Sequence, residues 1–323
     1  MRTLRHAAAL TAALTALSLA TAPAAQADDH RHGESVRYAS VKGCPDKNRE
    51  KRPCGPWRLV MHSGEMTLLR DAQTVARHAD GTSSGYQVAP IAVSGDGRRV
   101  AYFTKQGRVA VRTLGGGVKL LAADALPRAG QYERVFNLSD DGAKLAVTTY
   151  GKQTRVFDTA TGAQLGSAGR DEPVEGFSGD ADEILTLADG EDSVTDLVIY
   201  RDTGEQARRV TPPQLVSGNG PHALAADGTT IANLAMGKKP ALVLYDSATD
   251  QVTATPRVKL PAGGVRRIDW TGENQVTVHL ALERDGRPTR MTVVQISVPS
   301  GAVKVRDRYT VLADSYVFAS CGG

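Results

Sequence analysis

Short apolar runs separated by polar turns make up most of the chain from residue 57 onward. The runs are rich in Val, Leu, Ile and Ala and often alternate with polar residues, which is typical of β-strands. In five places a run ends at a small residue and is followed by a turn containing Asp, Glu or Gly. Asp and Ser favour turns through side-chain bonds to the backbone, and Gly adopts positive φ without a Cβ clash. The five turns are 94–97, 139–142, 178–180, 226–228 and 271–274.

The turns recur at a regular interval. Their first residues, Ser94, Ser139, Ser178, Ala226 and Thr271, are spaced 45, 39, 48 and 45 residues apart. After each turn come two further strand-like runs, then a second polar turn and a short fourth run. Four antiparallel strands in a repeat of this length are typical of a β-propeller blade. We therefore predict five complete blades, which start near Val88, Arg134, Val174, His222 and Arg266.

The two ends of the chain supply the parts of a sixth blade. Runs 57–62, 66–71 and 74–78 have the pattern of a second, third and fourth strand without a first. The C-terminal run 316–320 has the pattern of a first strand, and Ser320 lies 49 residues after Thr271. Joining the two ends would remove open sheet edges. The sequence thus predicts an all-β, six-bladed propeller over residues 57–323, with five or seven blades as alternatives, preceded by a tail and Cys-containing loop at 28–56.

The first 27 residues have the order of a secretory signal peptide. Arg2 and Arg5 precede an uncharged run, 7–22, and the small-x-small site 25–27 follows. We expect cleavage after Ala27 and a secreted, extracellular product, because the run is short for a membrane helix and no second apolar run follows. Loss of the two arginines lowers the formal net charge from +4 to +2. This charge gives no indication of a nucleic-acid partner.

Three cysteines leave two disulfide pairings open. A Cys54–Cys321 bond would lock the joint between the chain ends, and closing so long a loop is worth on the order of 5 kcal/mol in the chain-entropy model. This is the pairing we predict. The alternative is a local Cys44–Cys54 bond across residues 45–53. Export permits either bond.

The repeated strand that ends in Ser-x-Asp-Gly and is followed by a basic-Val/Leu-Ala strand resembles the blades of WD-repeat-like and TolB-like β-propellers. The resemblance is carried by 94–102 and 139–147, and more weakly by the other repeats. The Gly-His and Trp-Asp dipeptides of strict WD repeats are missing from the sequence. The resemblance implies a scaffold with a central channel, commonly used to bind proteins or peptides, and implies no particular chemistry.

Motifs for a catalytic nucleophile, a nucleotide or zinc do not occur in the sequence, and we predict no cofactor. Propeller sites gather residues from the starts of inner strands, and these positions offer Arg134, Glu175, His222 and Arg266 as candidate ligand-binding residues at the channel entrance. A structural His bonded to backbone is the alternative interpretation of His222. Processing after Ala27 would also create an N-terminal Asp28-Asp29-His30 set that suits Cu²⁺ or Ni²⁺. The alternative there is a polar tail.

Two classes of function follow from these observations. The first is a non-catalytic binding or scaffold propeller that presents a face or channel mouth to a protein, peptide or glycan. The second is an extracellular propeller enzyme, lactonase-like or lyase-like, with residues gathered at the channel. The four entrance positions contain one carboxylate, so the binding class is favoured.

Overall fold

Residues 35–322 are described by the structure, which is a computed structural model. They form six four-stranded antiparallel sheets and one two-stranded hairpin. The predicted signal peptide and the Asp28, Asp29 and His30 set lie outside these residues. Within the described part of the chain, no helix has the length and apolar character needed to cross a membrane.

Each four-stranded sheet is one blade, written here from its inner to its outer strand. Blade 1 contains β26 (Ser315–Ser320), β1 (Val36–Pro45), β2 (Lys51–Met61) and β3 (Met66–Leu69). Blade 2 contains β6 (Ile91–Val93), β7 (Arg99–Phe103), β8 (Val109–Thr113) and β9 (Val118–Leu120). Blade 3 contains β10 (Arg134–Leu138), β11 (Lys144–Thr149), β12 (Gln153–Asp158) and β13 (Gln164–Arg170).

The remaining blades have the same order. Blade 4 contains β14 (Val174–Phe177), β15 (Glu183–Asp189), β16 (Thr195–Arg201) and β17 (Gln206–Val210). Blade 5 contains β18 (His222–Leu224), β19 (Thr230–Ala235), β20 (Ala241–Asp246) and β21 (Gln251–Ala254). Blade 6 contains β22 (Gly264–Gly272), β23 (Gln275–Arg284), β24 (Arg287–Ser297) and β25 (Val303–Thr310). A hairpin of β4 (Val75–Arg77) and β5 (Ser83–Val88) joins blades 1 and 2, and one short helix, α1 (Gln214–Ser217), joins blades 4 and 5.

Apolar side chains between neighbouring blades form the core. The middle strands are buried on both faces because each blade packs against two others, as the run of buried residues in β7 and β20 shows. Six hydrophobic clusters fill the six blade interfaces, so the ring is packed all the way round. The interface between blades 3 and 4 has the smallest of these clusters. Polar contacts supplement it, with Lys144 Nζ 2.7 Å from Asp202 and 2.9 Å from Asp182.

The repeated Ser-containing turn has one hydrogen-bond pattern in blades 2, 3 and 4. In blade 2, the hydroxyl of Ser94 donates to Asp96 at 2.6 Å and accepts from the backbone N–H of Arg99 at 2.9 Å. Ser139 and Ser178 make the equivalent pairs of bonds in the next two blades. All three serines are buried, so each hydroxyl satisfies a backbone donor that water does not reach. The interval between these turns in the sequence therefore corresponds to a hydrogen-bonded turn that is repeated from blade to blade.

The chain ends meet in blade 1, but with a strand order that differs from the prediction. The inner strand is C-terminal, as expected, and it pairs with β1, where Tyr38 lies opposite Ser320. Because β1 occupies the second position, the run that starts at Trp57 belongs to the third strand, and 74–78 lies in the separate hairpin. The predicted tail and loop at 28–56 is therefore wrong where it covers β1 and the first six residues of β2, which are strands of blade 1. The reason is that β1 is buried on both faces over much of its length and lacks the alternation of a one-sided strand.

The disulfide joins Cys44 to Cys54, with a Cα–Cα distance of 5.8 Å. It links the two strands of the β1–β2 hairpin. The predicted Cys54–Cys321 bond is therefore wrong, and the local alternative is the one present. Cys321 lies in the core between blades 1 and 2, with its thiol buried.

Antiparallel connectivity sorts the loops onto two faces of the ring. The hairpins between second and third strands lie on the same face as the connections from one blade to the next, and we call this the loop face. The turns between first and second strands and between third and fourth strands lie on the opposite face, the turn face. The hairpins of the loop face are 46–50, 104–108, 150–152, 190–194, 236–240 and 285–286.

Candidate functional site

A cavity of about 810 Å³ occupies the channel at the loop face. Its wall comes from the inner strands β6, β10, β22 and β26. Each inner strand pairs with a neighbour on one side only, so its other edge faces the channel with backbone N–H and C=O groups outside any sheet. In β6 and β10, side chains such as Val93, Phe136 and Leu138 are buried in the blade interfaces, whereas all six residues of β26 are at least partly exposed. The channel wall therefore combines backbone groups with partly exposed side chains.

Two hairpins from adjacent blades flank the mouth of this cavity. One is the disulfide-linked β1–β2 hairpin, which contributes Lys51, and the other is the long β23–β24 hairpin, which contributes Glu283 and Arg287. The strands of the second hairpin have 10 and 11 residues, whereas the corresponding strands of blade 2 have 5 each. This extra length carries its tip beyond the ring.

The tip of the β1–β2 hairpin is held in one shape by a carboxylate. One oxygen of Asp46 accepts the backbone N–H of Asn48 at 2.8 Å and that of Glu50 at 3.0 Å. Its other oxygen accepts Nε of Arg52 at 2.7 Å, and this bond is the main reason that the pKa of Asp46 is lowered. Together with the disulfide, these contacts fix the position of Lys51 at the mouth.

Cations dominate the charged groups at the mouth. Arg266 forms an ion pair with Glu283, and both are exposed. Lys51 and Arg287 are exposed and make no ion pair with a described residue. Glu283 is the one carboxylate among the described residues that line the cavity. The mouth therefore favours an anionic group on a bound molecule.

The structure places the four predicted entrance residues in different surroundings. Arg266 lines the cavity. Arg134 instead stacks over Phe103, 5.5 Å from the ring centre, and donates to the carbonyl of Pro127. Burial lowers its pKa. Its position does not belong to the cavity lining.

Glu175 and His222 form a local pair away from the cavity. The carboxylate of Glu175 accepts the backbone N–H of His222 at 2.7 Å and lies 3.2 Å from its Nδ1. The Nε2 of this ring lies 3.0 Å from the carbonyl oxygen of Val216. The side chain of His222 is 2% exposed. Both ring nitrogens thus serve to hold the connection that contains α1, in agreement with the structural interpretation of His222.

A second polar group, absent from the sequence prediction, lies deeper in the ring on blades 3 and 6. Nε of Arg267 lies 2.7 Å from Asp269, and His279 lies opposite Arg267 on the next strand. Desolvation raises the pKa of Asp140 to about 6, and the charges of Asp269, Asp96 and Asp141 act in the same direction. Within residues 35–322, no cluster of three or more His, Cys, Asp or Glu could hold a metal ion.

No protein-family model matches the chain, and no curated protein matches its sequence. Solved structures do resemble it. TolB from Acinetobacter baumannii is 15% identical with a TM-score of 0.48, over 90% of this chain and 68% of that one. A putative TolB from Agrobacterium tumefaciens is 15% identical with a TM-score of 0.47, over 85% and 90% of the two chains. Hydrazine synthase from Kuenenia stuttgartiensis is 16% identical with a TM-score of 0.42, over 67% of this chain and 65%, less than two thirds, of that one.

The predicted six-bladed propeller fold is confirmed by the six sheets described above.

Proposed function

We propose that this protein is a secreted, non-catalytic binding propeller that takes a peptide segment of a partner protein at the channel mouth on the loop face. The observation that carries this proposal is the open cavity, whose wall is made of unpaired strand edges. An extended peptide can add to such an edge through main-chain hydrogen bonds. The edge that contributes most residues to the cavity is β26, all six of whose residues line it, and its Val317 is 36% exposed.

Exposed apolar side chains on the same face support a protein partner. On this face the largest exposures are those of Tyr150 at 84%, Val135 at 57% and Tyr86 at 54%, followed by Met236 at 48% and Leu215 at 42%, while Met66, also 54% exposed, lies on the turn face. All five lie in loop-face hairpins, in connections between blades or at the start of an inner strand. Aromatic and Met side chains are enriched in the buried centres of protein interfaces. The loop face thus carries several separate exposed apolar side chains that a protein partner could cover.

A blocked channel tests the proposal. Ala313 is an exposed turn residue that lines the cavity, so Ala313→Trp should fill the mouth without disturbing the core. The matched control is Ala160→Trp, at an exposed turn on the opposite face. Peptides selected by the wild-type protein from a random display library should bind Ala313→Trp at least about tenfold more weakly in fluorescence anisotropy, a loss of about 1.4 kcal/mol. They should bind the control as they bind the wild type. Equal binding to both variants, or no selected peptide, would overturn the proposal.

Secretion has a separate test. Protein recovered from the medium of an expressing bacterial culture should begin at Asp28 when its N-terminus is sequenced. A chain retained in cells with Met1 intact would contradict it.

A further inference from the structure

Two neighbouring hairpins on the loop face carry cations that have no carboxylate partner. The β1–β2 hairpin presents Lys47, Arg49 and Lys51, and the β23–β24 hairpin presents Arg284, Arg287 and Arg290. All six are exposed, and none makes an ion pair with a residue in the described part of the chain. We call these six residues the basic rim.

The carboxylates close to the basic rim do not neutralise it. Glu50 lies 3.4 Å from Arg52, and Glu283 is paired with Arg266. Asp314, next to Ala313 at the mouth, has a 43% exposed side chain and is paired with Arg58, and Asp285, at the tip of the second hairpin, is the remaining exposed acid of the two hairpins. A cluster of unpaired cations is a source of positive potential, which attracts anionic partners over roughly a Debye length, about 8 to 10 Å at moderate salt.

One hairpin on the opposite side of the same face has the opposite charge. The corresponding hairpin of blade 4, which lies across the ring from blade 1, carries Asp189, Glu191 and Asp192, and all three are exposed. The hairpins on either side of it carry the exposed cations Lys152 in blade 3 and Lys238 and Lys239 in blade 5, so the acidic patch is confined to the hairpin of blade 4. A partner with acidic residues would therefore be attracted to blades 1 and 6 and repelled from blade 4. Charge distribution across one face in this way orients a partner.

The rim and the cavity are parts of one site. Lys51 and Arg287 come from different hairpins, yet both line the same cavity, together with β26.

An inner-strand edge offers both N–H donors and C=O acceptors. A polypeptide main chain satisfies both, whereas a polyphosphate or a sulfated glycan presents acceptors with few donors. Three of the six rim cations are arginines on one hairpin, and the arginine fork pairs with carboxylates in a bidentate geometry.

We propose that the partner segment is an acidic peptide that runs between the two hairpins, with its carboxylates on the basic rim and its main chain along the edge of β26. This inference rests on the proposed function and names the chemistry of the peptide. It makes the two hairpins, and the disulfide that holds one of them, the elements that determine specificity.

Fluorescent octapeptides of alternating Glu and Val, and of alternating Gln and Val, test the inference against the wild-type protein. The Glu peptide should bind at least about tenfold more tightly at about 50 mM salt, and the difference should shrink at about 300 mM salt because exposed charges are screened. Lys51→Glu with Arg287→Glu should remove this preference. The charge-matched control, Lys152→Glu with Arg170→Glu, changes two exposed cations of blade 3 and should retain it.

The outcomes separate this inference from the proposed function. If both peptides bind equally and Ala313→Trp weakens both, the peptide site stands and the acidic preference is refuted. If the Glu peptide binds but Ala313→Trp has no effect and polyphosphate displaces it, the rim is a general polyanion surface, and the inference is again refuted. Binding of the Glu peptide that is lost in both Ala313→Trp and the rim variant supports it.

Discussion

His279 makes the stability of this propeller depend on pH. It lies in the middle of β23, is 0% exposed, and is paired across the sheet with Arg267. Burial lowers the pKa of its imidazole to about 3, and the guanidinium of Arg267 acts in the same direction. The backbone of Gly322 opposes the shift. The native state therefore holds this histidine in its neutral form.

The size of the effect follows from the two pKa values. Above the unfolded-state pKa of 6.5, both states are neutral at this position and nothing is lost. As the pH falls, the unfolded chain takes up a proton that the native state does not bind, so the free energy of unfolding decreases until the pH approaches the native pKa. With a native pKa of about 3, going from about pH 7.5 to about pH 5 removes about 2 kcal/mol.

Urea unfolding followed by tryptophan fluorescence measures this loss, since Trp57 and Trp270 are both buried. Between about pH 7.5 and about pH 5, the free energy of unfolding of His279→Leu should fall by about 2 kcal/mol less than that of the wild type. His78→Ala, at an exposed histidine, should keep the wild-type dependence. Comparing variants cancels the contribution of other titrating groups. If the wild type and His279→Leu lose stability in parallel, the neutral buried imidazole is not the cause and the reasoning is refuted.

Three further changes test other parts of the structure. Asp140→Asn should raise the free energy of unfolding relative to that of the wild type above about pH 6. The raised pKa of Asp140 gives the wild type a stabilisation that is present below pH 3.8 and is lost as the pH rises through about 6. This prediction is contradicted if urea titration gives the same difference between variant and wild type at pH 5 and at pH 8. Cys44→Ala with Cys54→Ala should cost about 3 kcal/mol in the chain-entropy model, and an unchanged urea midpoint would show that the strand pairing already restrains the hairpin. Ser139→Ala should cost about 1 to 2 kcal/mol, because the backbone N–H of Lys144 loses its 3.0 Å acceptor, and a smaller change would mean that water replaces the hydroxyl.

The repeat could be predicted because its turn chemistry is local. Ser94, Ser139 and Ser178 each bond within five residues of themselves, so the same short sequence produces the same turn wherever it occurs. Local hydrogen bonds of this kind leave a pattern that a single sequence displays. The blade count and the composite sixth blade followed from that pattern.

Strand β1 could not be predicted on the same grounds. Its buried residues include Val36, Tyr38, Ala39, Ser40 and Val41, which do not alternate with exposed ones. They are buried because blade 1 receives β26 on one side and β2 on the other, and packs against blades 2 and 6. Such burial depends on strands far away in the sequence. Periodicity within the strand therefore carries no signal of it.

Only part of the candidate site could be predicted from the sequence, for a similar reason. Arg266 was predicted because it starts an inner strand, which is a position that the repeat defines. Lys51 and Arg287 lie on hairpins whose length varies from blade to blade, so the repeat says nothing about them. The extra residues of β23 and β24 before the Asp285–Gly286 turn were the available signal. Loops that exceed the common length of a repeat are where binding residues are to be sought.

The ring closes without a covalent bond, and this explains where the disulfide is found. The joint between the chain ends already contains the β26–β1 pairing and the Arg58–Asp314 ion pair at 2.8 Å. It also contains the apolar cluster between blades 6 and 1. The β1–β2 hairpin, by contrast, extends beyond the ring, and its outer part packs on little besides itself, since its tip residues 47–51 are exposed. A cross-link is most useful where packing is least, and there it holds the basic rim in place.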